Sequence, residues 1–270
     1  MKKRMSTIVT MLAVAAICLT GCGNNNAQTA EPADTSAEET ADEEQAEETD
    51  AATTETADAE KSTDTTIMVV SFGTSYNDSR DITIGAIENA IADAFPQYEV
   101  RRAFTSQIII DKLKERDGLE IDNVQEALDR AAADGIKNLI VQPTHLMDGH
   151  EYTDLKDELE GYKDSFENIS LGAPLLTSDE DFEAVIKAIT DATASYDDGE
   201  TAVVFMGHGT DADSNEVYAK LQEKLTADGF EHYYIGTVEA TPSLDDIKAA
   251  LKEAGTYKKV VLEPLMVVAG

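Results

Sequence analysis

The sequence contains no tryptophan, and histidine and cysteine are scarce, with four and two residues among 270. Basic residues are also few: 21 Lys and Arg stand against 54 Asp and Glu, which gives a formal net charge of -33 at pH 7. A nucleic-acid-binding protein needs Lys and Arg to replace the counterions on phosphates, so this balance argues against a nucleic-acid partner. Both cysteines lie within the first 22 residues. The rest of the chain therefore has no disulfide and no cysteine metal site.

The first 22 residues have the pattern of a bacterial export signal. Basic residues near the start are followed by an apolar core over 8–19 and then by the tetrapeptide LTGC, which ends at Cys22. An apolar core this short favours a cleaved signal over a membrane helix. LTGC resembles the lipobox of bacterial lipoproteins, which implies cleavage before Cys22 and lipid attachment to its sulfur. We therefore predict an exported lipoprotein held at a membrane through Cys22; the alternative is an ordinary secretory peptide.

Residues 23–65 consist mainly of Asn, Ala, Thr, Glu and Asp and contain no aromatic residue. Such a segment cannot bury enough apolar surface to offset the entropy lost on ordering, and its like charges keep it extended. We predict a disordered acidic tether between the signal and a globular part.

From Thr66 onward, short apolar segments alternate with segments of helical periodicity. The predicted strands lie over 67–72, 98–104, 136–142, 169–171, 202–206, 233–238 and 259–262. The predicted helices are 77–94, one beginning at Ser106, one capped by Asp122 and Gln125, one opening at Glu151, one capped by Ser178, 213–227, and one capped by Ser243. This alternation predicts an α/β fold of parallel sheets with right-handed crossovers.

The two halves of the globular part also resemble each other. TIMVVSFGTS from Thr66 matches TAVVFMGHGT from Thr201, since both end in a glycine-rich turn that contains threonine. KNLIVQPTHLMDGH from Lys137 matches KKVVLEPLMVVAG from Lys258 in the same order. Two ordered matches predict a pair of similar lobes that face one ligand-binding cleft.

We place the N-terminal lobe over 66–195 and the C-terminal lobe over 196–270. The second repeat stops at Gly270, on a turn at the end of a strand. The sequence therefore predicts that the C-terminal lobe is truncated and lacks a terminal helix.

His208 is held between Gly207 and Gly209 directly after a buried-type strand. Ligands of open α/β sheets bind at the C-terminal edge of the strands, and the glycines allow a bulky group to approach the imidazole. The alternative is a histidine in a tight turn, bonded to a neighbouring carbonyl.

Other polar candidates also follow predicted strands. His145 and His150 lie in the turn after the third strand, and Glu239 follows the sixth strand within GTVEATP. Imidazole and carboxylate groups that converge on one cleft suit a borderline divalent metal such as cobalt, nickel, iron or zinc. The alternatives are a polar turn for the two histidines and a solvated loop acid for Glu239.

Several segments together resemble the class II chelatases, and among these the anaerobic sirohydrochlorin cobaltochelatases of cobalamin synthesis. They are VVSFGTSY from Val69, RAFTS from Arg102, HLMDGHEY from His145, GAPLL from Gly172, VVFMGHG from Val203, GTVEATP from Gly236 and PLMVVAG from Pro264. The resemblance covers about 66–270. It implies two Rossmann-like lobes with parallel sheets, related by a pseudo-two-fold repeat, that grip a flat tetrapyrrole.

The resemblance also implies roles for individual residues. His208 matches the family's GHG histidine and Glu239 the carboxylate of its VE motif, so these two are predicted to bind the metal. Glu151 matches the acid of the family's G-x-E-Y turn, and Glu151 or His208 is predicted to accept a pyrrole proton. A further family histidine follows VVAG, and this sequence ends just before that position.

The implied reaction inserts Co2+ into sirohydrochlorin, with Co2+ as substrate metal, Fe2+ or Ni2+ as alternatives and no organic cofactor. Predicted substrate-binding residues lie in the turns after the first and third strands: Ser71, Gly73, Thr74, His145 and His150. Sirohydrochlorin carries many carboxylates, for which Arg80, Arg101 and Arg102 are candidate cations, with ordinary surface roles as the alternative. The sequence leaves the oligomeric state open.

The export signal raises two rival interpretations, because cobalamin assembly is cytoplasmic. The first is a surface-anchored protein that binds haem, another tetrapyrrole or metal for uptake without turnover. The second is a solute-binding lipoprotein for a small organic ligand, which fits two lobes but gives no reason for the histidine turns.

Overall fold

The structure of the protein, a computed structural model, describes residues 61–268. The predicted signal, Cys22, most of the tether and Gly270 lie outside the described residues. The strands are β1 (Thr65–Ser71), β2 (Glu99–Phe104), β3 (Asn138–Pro143), β4 (Asn168–Leu171), β5 (Thr201–Gly207), β6 (Tyr233–Thr237) and β7 (Lys259–Pro264). The helices are α1 (Asn77–Ile82), α2 (Ile84–Ala94), α3 (Gln107–Asp117), α4 (Val124–Ala133), α5 (His150–Gly161), α6 (Asp179–Thr193), α7 (Glu216–Ala227) and α8 (Leu244–Ala254).

The strands form two sheets, and every strand pair in them is parallel. The first sheet has the order β2-β1-β3-β4 and the second the order β6-β5-β7. In both sheets the first strand of the repeat, β1 or β5, has neighbours on both sides and is almost wholly buried. This explains the continuous apolar runs of these two strands, which must be apolar on both faces. The predicted α/β fold with two parallel sheets is confirmed.

The apolar cores follow the sheets, with one difference from the predicted lobe boundary. Met68 and Leu139 of the first sheet pack with α4 and α5. Helix α6 belongs by sequence to the 66–195 lobe, yet its Phe182 and Ile186 pack with Val203 of the second sheet. The apolar face of α6 therefore packs in the core of the second sheet, called the second core below. The chain crosses from the first lobe to the second after β4.

The helix predicted over 77–94 is interrupted at Thr83, which separates α1 from α2. The Thr83 hydroxyl donates to the Ser79 carbonyl at 2.6 Å, a bond to the preceding turn that is known to bend helices. The pattern of apolar residues continues through Thr83, so hydrophobic periodicity alone does not reveal the break.

The capping box predicted at Asp122 and Gln125 is wrong by one residue. Asn123 Oδ1 accepts from the Glu126 backbone N–H at 2.9 Å, and Glu126 Oε2 accepts from the Asn123 backbone N–H at 3.0 Å. Asp122 instead accepts from the guanidinium of Arg130, at 2.7 Å from its Nε. Asn and Asp are equally good N-cap residues, so two adjacent candidates could not be ranked from the sequence.

Two further boundaries differ from the prediction. The predicted tether ends at residue 65, but Thr65 already belongs to β1 and the Ser62 backbone N–H donates to the Gln97 carbonyl at 2.8 Å. The helix predicted from Asp213 begins as a 3-10 turn over Asp213–Asn215, and α7 starts at Glu216.

The lobes meet through the turns that follow β3 and β7. Leu146 and Met147, which follow β3 of the first sheet, pack against the second core. Val267, which follows β7 of the second sheet, packs against the second core and also against two clusters of the first lobe. The turns at the C-terminal ends of the strands are thus held against the opposite lobe.

Candidate functional site

A cavity of about 490 Å³ lies where the C-terminal ends of strands from both sheets meet. Its walls include residues 71–73 after β1, 144–147 after β3, 208–210 after β5 and 265–268 after β7. Ligands of parallel α/β sheets bind at this edge, so the cavity is the candidate functional site. Much of its wall is apolar and comes from side chains such as Ile84, Ile109 and Leu265. A cavity of this composition suits the apolar faces of a ring system.

His208 and Glu239 lie side by side at this edge of the second sheet. His208 Nδ1 is 3.9 Å from Glu239 Oε2, and each side chain is 65% exposed. Two atoms that bind one ion at about 2.0–2.2 Å lie about 3–4 Å apart, so this pair can share a divalent ion. His208 lines the cavity.

Backbone contacts hold the two loops of this pair together. The Glu239 backbone N–H donates to the His208 carbonyl at 2.9 Å. Gly209 has a φ of +86°, and a Cβ there would lie 2.8 Å from Ala240 Cβ. Glycine is required at this position because of both its backbone conformation and the close approach of the neighbouring loop.

His208 also makes the contact that the turn interpretation predicts, since its Nδ1 lies 3.1 Å from the Gly209 carbonyl oxygen. Nδ1 is also the ring atom that faces Glu239, so an ion shared by the pair through Nδ1 would replace this contact with the Gly209 carbonyl. Within residues 61–268, no third His, Cys, Asp or Glu completes a metal site with the pair. A divalent ion held here would therefore take its remaining ligands from a bound molecule or from outside this range.

Tyr218 of α7 supports the His208 turn, and the sequence analysis missed it. Its hydroxyl accepts from the Gly209 backbone N–H at 3.3 Å, and burial raises the pKa of this phenol, which therefore stays protonated. A Cβ at Gly207 would lie 2.1 Å from the Tyr218 ring. The glycine on either side of His208 thus has a separate steric role, but nothing in the sequence pattern identifies the tyrosine that packs there.

His145 and Glu151 bring an imidazole and a carboxylate to the first-lobe side of the cavity. Both ring nitrogens of His145 are buried and have no hydrogen-bond partner among the described residues. Burial lowers the pKa of His145, although the carboxylate of Glu151 acts in the opposite direction. The ring is therefore neutral at pH 7, and its nitrogens are buried within the turn that follows β3.

His150 does not line the cavity, contrary to its predicted substrate-binding position. Its Nε2 lies 2.7 Å from Asp211 Oδ1, a residue in the turn after β5 of the other sheet. Hydrogen bonding to this carboxylate raises the pKa of His150. Because the two side chains belong to different lobes, the pair bridges them at the surface.

The predicted binding residues after β1 are divided between the cavity and the protein interior. Ser71 and Gly73 line the cavity, whereas Thr74 is buried and its Oγ1 accepts from the Tyr76 backbone N–H at 3.2 Å. The Ser71 hydroxyl accepts from Thr144 at 3.0 Å, which links the turns after β1 and β3.

The three candidate arginines all have partners within the protein. Arg101 donates to Glu99 and Asp134, and Arg102 donates through Nε to Glu88 Oε1 at 2.7 Å. Arg80 is buried and donates to the Asn77 side chain at 2.9 Å. None of the three lines the cavity. All three arginines are therefore engaged within the protein, and Arg80 also departs from the alternative of an ordinary surface role because it is buried.

Fold and site together define a class: two-lobed α/β proteins with a parallel sheet in each lobe, a ligand cavity between them, and an imidazole–carboxylate pair that can share a divalent ion. A protein-family model described as "Cobalt chelatase (CbiK)" matches residues 65–270. The chain therefore belongs to the CbiK cobalt chelatase family, as its motifs predicted.

Two relatives with described activities support this assignment. A sirohydrochlorin cobaltochelatase of Salmonella typhimurium is 38% identical over 204 residues, which is 76% of this chain and 76% of that protein. Sirohydrochlorin cobaltochelatase CbiKC of Nitratidesulfovibrio vulgaris is 32% identical over 210 residues, 77% of this chain and 73% of that protein.

Solved structures of the sirohydrochlorin chelatase SirB from Bacillus subtilis are more distant. The structure with Fe3+ is 16% identical in sequence and has a TM-score of 0.44. The match covers 74% of this chain and 87% of that protein's chain. The structure of the subspecies spizizenii protein with cobalt is 15% identical in sequence and has a TM-score of 0.45. The match covers 74% of this chain and 86% of that protein's chain.

Within residues 61–268, no helix is long and apolar enough to cross a membrane.

Proposed function

We propose that the protein is a sirohydrochlorin cobaltochelatase, which inserts Co2+ into the tetrapyrrole with release of two protons, as in anaerobic cobalamin biosynthesis. The observation that carries this proposal is the 3.9 Å approach of His208 and Glu239 beside an apolar cavity. Membership of the cobalt chelatase family and the names of both relatives support it.

In this proposal His208 and Glu239 present the metal to the ring. A neutral imidazole and a carboxylate suit borderline divalent ions, and metal binding requires the imidazole to be unprotonated. The small number of protein ligands suits a metal that is handed on, because the pyrrole nitrogens can replace the protein ligands one after another.

The pyrrole protons need an acceptor inside the cavity. Glu151 lines the cavity and is also exposed, so its carboxylate can take a proton from the ring and release it to water. His208 is the alternative acceptor once the ion has moved into the ring. The apolar walls from Ile109 and Leu265 contact the faces of the macrocycle and keep water from its centre.

Co2+ is the proposed substrate metal, in agreement with the family description. Fe2+ and Ni2+ accept the same two ligands, and selectivity among such ions often depends on supply rather than on affinity. Both are therefore alternative substrates in vitro.

The test is to mix purified protein with sirohydrochlorin and Co2+ and to follow the absorption change against a protein-free reaction. Loss of outer-shell groups around a metal costs about 10- to 100-fold, so His208→Ala and Glu239→Gln should each lower insertion at least about 100-fold. His232→Ala is the matched control, because this ring bonds to Tyr257 at 3.2 Å outside the cavity. Insertion that survives His208→Ala at the wild-type rate contradicts the proposal.

A second candidate function is favoured by the export signal that the first 22 residues predict. A membrane-held protein with this cleft could bind haem, another tetrapyrrole or metal for uptake without turnover. The same assay separates the two functions: tetrapyrrole binding by the wild type without cobalt insertion supports the carrier and rejects the chelatase.

We also propose that the mature protein is an exported lipoprotein, held by lipid on Cys22 at the cell surface or the periplasmic side of a membrane. The order of the segments supports this proposal: basic residues come first, then the apolar core, and then LTGC. Cells that express the full chain should incorporate labelled fatty acid into it and carry it in the membrane fraction, whereas Cys22→Ser should abolish the label. Wild-type protein without label in the soluble fraction contradicts the proposal.

A further inference from the structure

A tetrapyrrole rich in carboxylates poses an electrostatic problem for this chain. The net charge of -33 repels an anionic ligand at long range, so such a ligand needs a local cation. Among the described residues, no lysine or arginine lines the cavity. Arg101 and Arg102 are paired with Glu99, Asp134 and Glu88. The cation must therefore be sought at the rim of the cavity.

Lys112 on α3 is the candidate lysine, because its helix contributes to the cavity wall. Ile109 of the same helix lines the cavity, and Lys112 follows it by three residues, so both side chains lie on one face of α3. Lys112 Nζ lies 5.9 Å from the centre of the Tyr76 ring, and Tyr76 comes three residues after Gly73 of the cavity wall. The cation and the ring thus stand together, and each lies three residues after a residue of the cavity wall.

Neither group is engaged by another polar side chain. Within residues 61–268 Lys112 makes no ion pair, unlike its neighbour Lys114, whose Nζ lies 3.2 Å from Glu120. Tyr76 is 58% exposed, and its hydroxyl makes no hydrogen bond in the same range. An ammonium over an aromatic face is attracted to the ring but keeps its N–H donors available.

The backbone that carries Tyr76 is fixed from both sides. Arg116, one turn after Lys112 on α3, donates from Nη2 to the Ser75 carbonyl at 2.7 Å and to Asn77 Oδ1 at 3.0 Å. These bonds hold residues 75 and 77 against the helix that carries Lys112. The distance between Lys112 and Tyr76 is therefore set by the fold and not only by two mobile side chains.

We infer that Tyr76 and Lys112 form a carboxylate-binding rim, which receives a peripheral carboxylate of the tetrapyrrole while the ring enters the cavity. Lys112 Nζ donates charge-assisted hydrogen bonds to this carboxylate, and the Tyr76 hydroxyl donates a second one. The rim selects for polycarboxylate tetrapyrroles over those with few carboxylates. This inference rests on the proposed function only in taking a tetrapyrrole as the ligand, not in the insertion of cobalt.

The first experiment measures binding of metal-free porphyrins to the full chain by fluorescence. The two probes are uroporphyrin, which has carboxylates on every pyrrole, and protoporphyrin, which has them on one edge only. The variants are Lys112→Gln and, as a matched control, Lys259→Gln. Lys259 Nζ lies 4.9 Å from the Tyr196 ring, the same kind of pair, but at the start of β7 and so at the opposite end of that strand from the cavity.

We expect Lys112→Gln to weaken uroporphyrin binding by about three- to ten-fold, the size of a single partly exposed charge contact, and protoporphyrin binding by less. Added salt should reduce the difference between wild type and variant. Lys259→Gln should bind both porphyrins like the wild type. Equal uroporphyrin binding by wild type and Lys112→Gln overturns the inference, as does an equal loss in Lys259→Gln.

The second experiment separates this inference from the proposed function. In the cobalt insertion assay, Lys112→Gln should raise KM for sirohydrochlorin by a similar factor and leave kcat unchanged, because the contact is made equally in the bound and reacting complexes. A fall in kcat with unchanged KM overturns the inference that Lys112 forms a carboxylate-binding rim. Selective uroporphyrin binding through Lys112 without cobalt insertion rejects the proposed chelatase function but supports the inferred carboxylate-binding rim. Absence of any tetrapyrrole binding by the wild type rejects both.

Discussion

His145, His150 and His208 occupy three different environments around one cleft. His208 is exposed beside a carboxylate, His150 is exposed and paired with Asp211, and the two ring nitrogens of His145 are buried without a partner among the described residues. The consequence is opposite behaviour on protonation. The Asp211 carboxylate raises the pKa of His150, whereas burial lowers that of His145. Residue type alone therefore does not define the role of a histidine here.

The unpartnered ring of His145 leads to a prediction about stability. We expect His145→Leu to raise the free energy of unfolding at neutral pH by about 1 kcal/mol, because it replaces two unsatisfied buried nitrogens with apolar groups of similar volume. The gain should increase in acid. An unfolded chain binds a proton at His145 near pH ~6.5, while the folded chain resists protonation to lower pH, so the wild type loses stability as pH falls below about 6.5.

Urea unfolding of wild type and variant at about pH 7.5 and about pH 5.5 measures both effects. His232→Gln serves as the control and should show no gain at the higher pH. A lower stability of His145→Leu than of wild type at neutral pH would contradict the prediction, because it would mean that the imidazole contributes a stabilising contact.

At the scale of helices and strands, side-chain caps fix where several helices begin. The Ser243 hydroxyl accepts from the Asp246 backbone N–H at 3.3 Å, and Asp246 Oδ2 accepts from the Ser243 backbone N–H at 2.8 Å. Ser178 and Asp181 form the same arrangement at the start of α6. Both serine caps were predicted from the sequence and are confirmed. They were identifiable because each serine is followed three residues later by a carboxylate.

The cap at α8 gives a prediction for that helix. Ser243→Ala should lower the free energy of unfolding by about 1 kcal/mol, since it leaves a backbone N–H of the first turn without its acceptor. Ser195→Ala is the control, because this exposed serine lies outside any cap. Thermal unfolding of the two variants beside the wild type measures the effect. Equal melting temperatures for Ser243→Ala and Ser195→Ala would contradict the assigned cap.

Strand identity was predictable, whereas two features of the helices were not. Each strand that the apolar runs predicted is present, and the clearest runs belong to β1 and β5, which are buried on both faces. The break at Thr83 depends on a bond from Thr83 to Ser79, and the cap of α4 depends on which of two adjacent residues turns inward. Both are decided by local geometry that periodicity does not encode.

At the scale of the whole molecule, the site exists only because the lobes are packed together. Leu146 and Met147 of the first lobe pack against the apolar core of the second sheet, and Val267 of the second lobe packs against two clusters of the first. The His150–Asp211 pair joins the same edges at the surface, where such ion pairs contribute little to stability. Apolar packing therefore sets the width of the cleft.

The sequence by itself determined the parallel α/β architecture, the internal repeat and the positions of His208 and Glu239 at strand ends, because each leaves a local pattern of apolar residues and glycines. Only the tertiary structure decided which polar residues are free to bind a ligand. It paired the three arginines with partners inside the protein, brought Tyr218 against Gly207, and left Lys112 beside Tyr76. Apart from the bond of Arg80 to Asn77, these outcomes depend on contacts between residues eleven or more positions apart in the chain, and hydrophobic periodicity carries no record of such pairings.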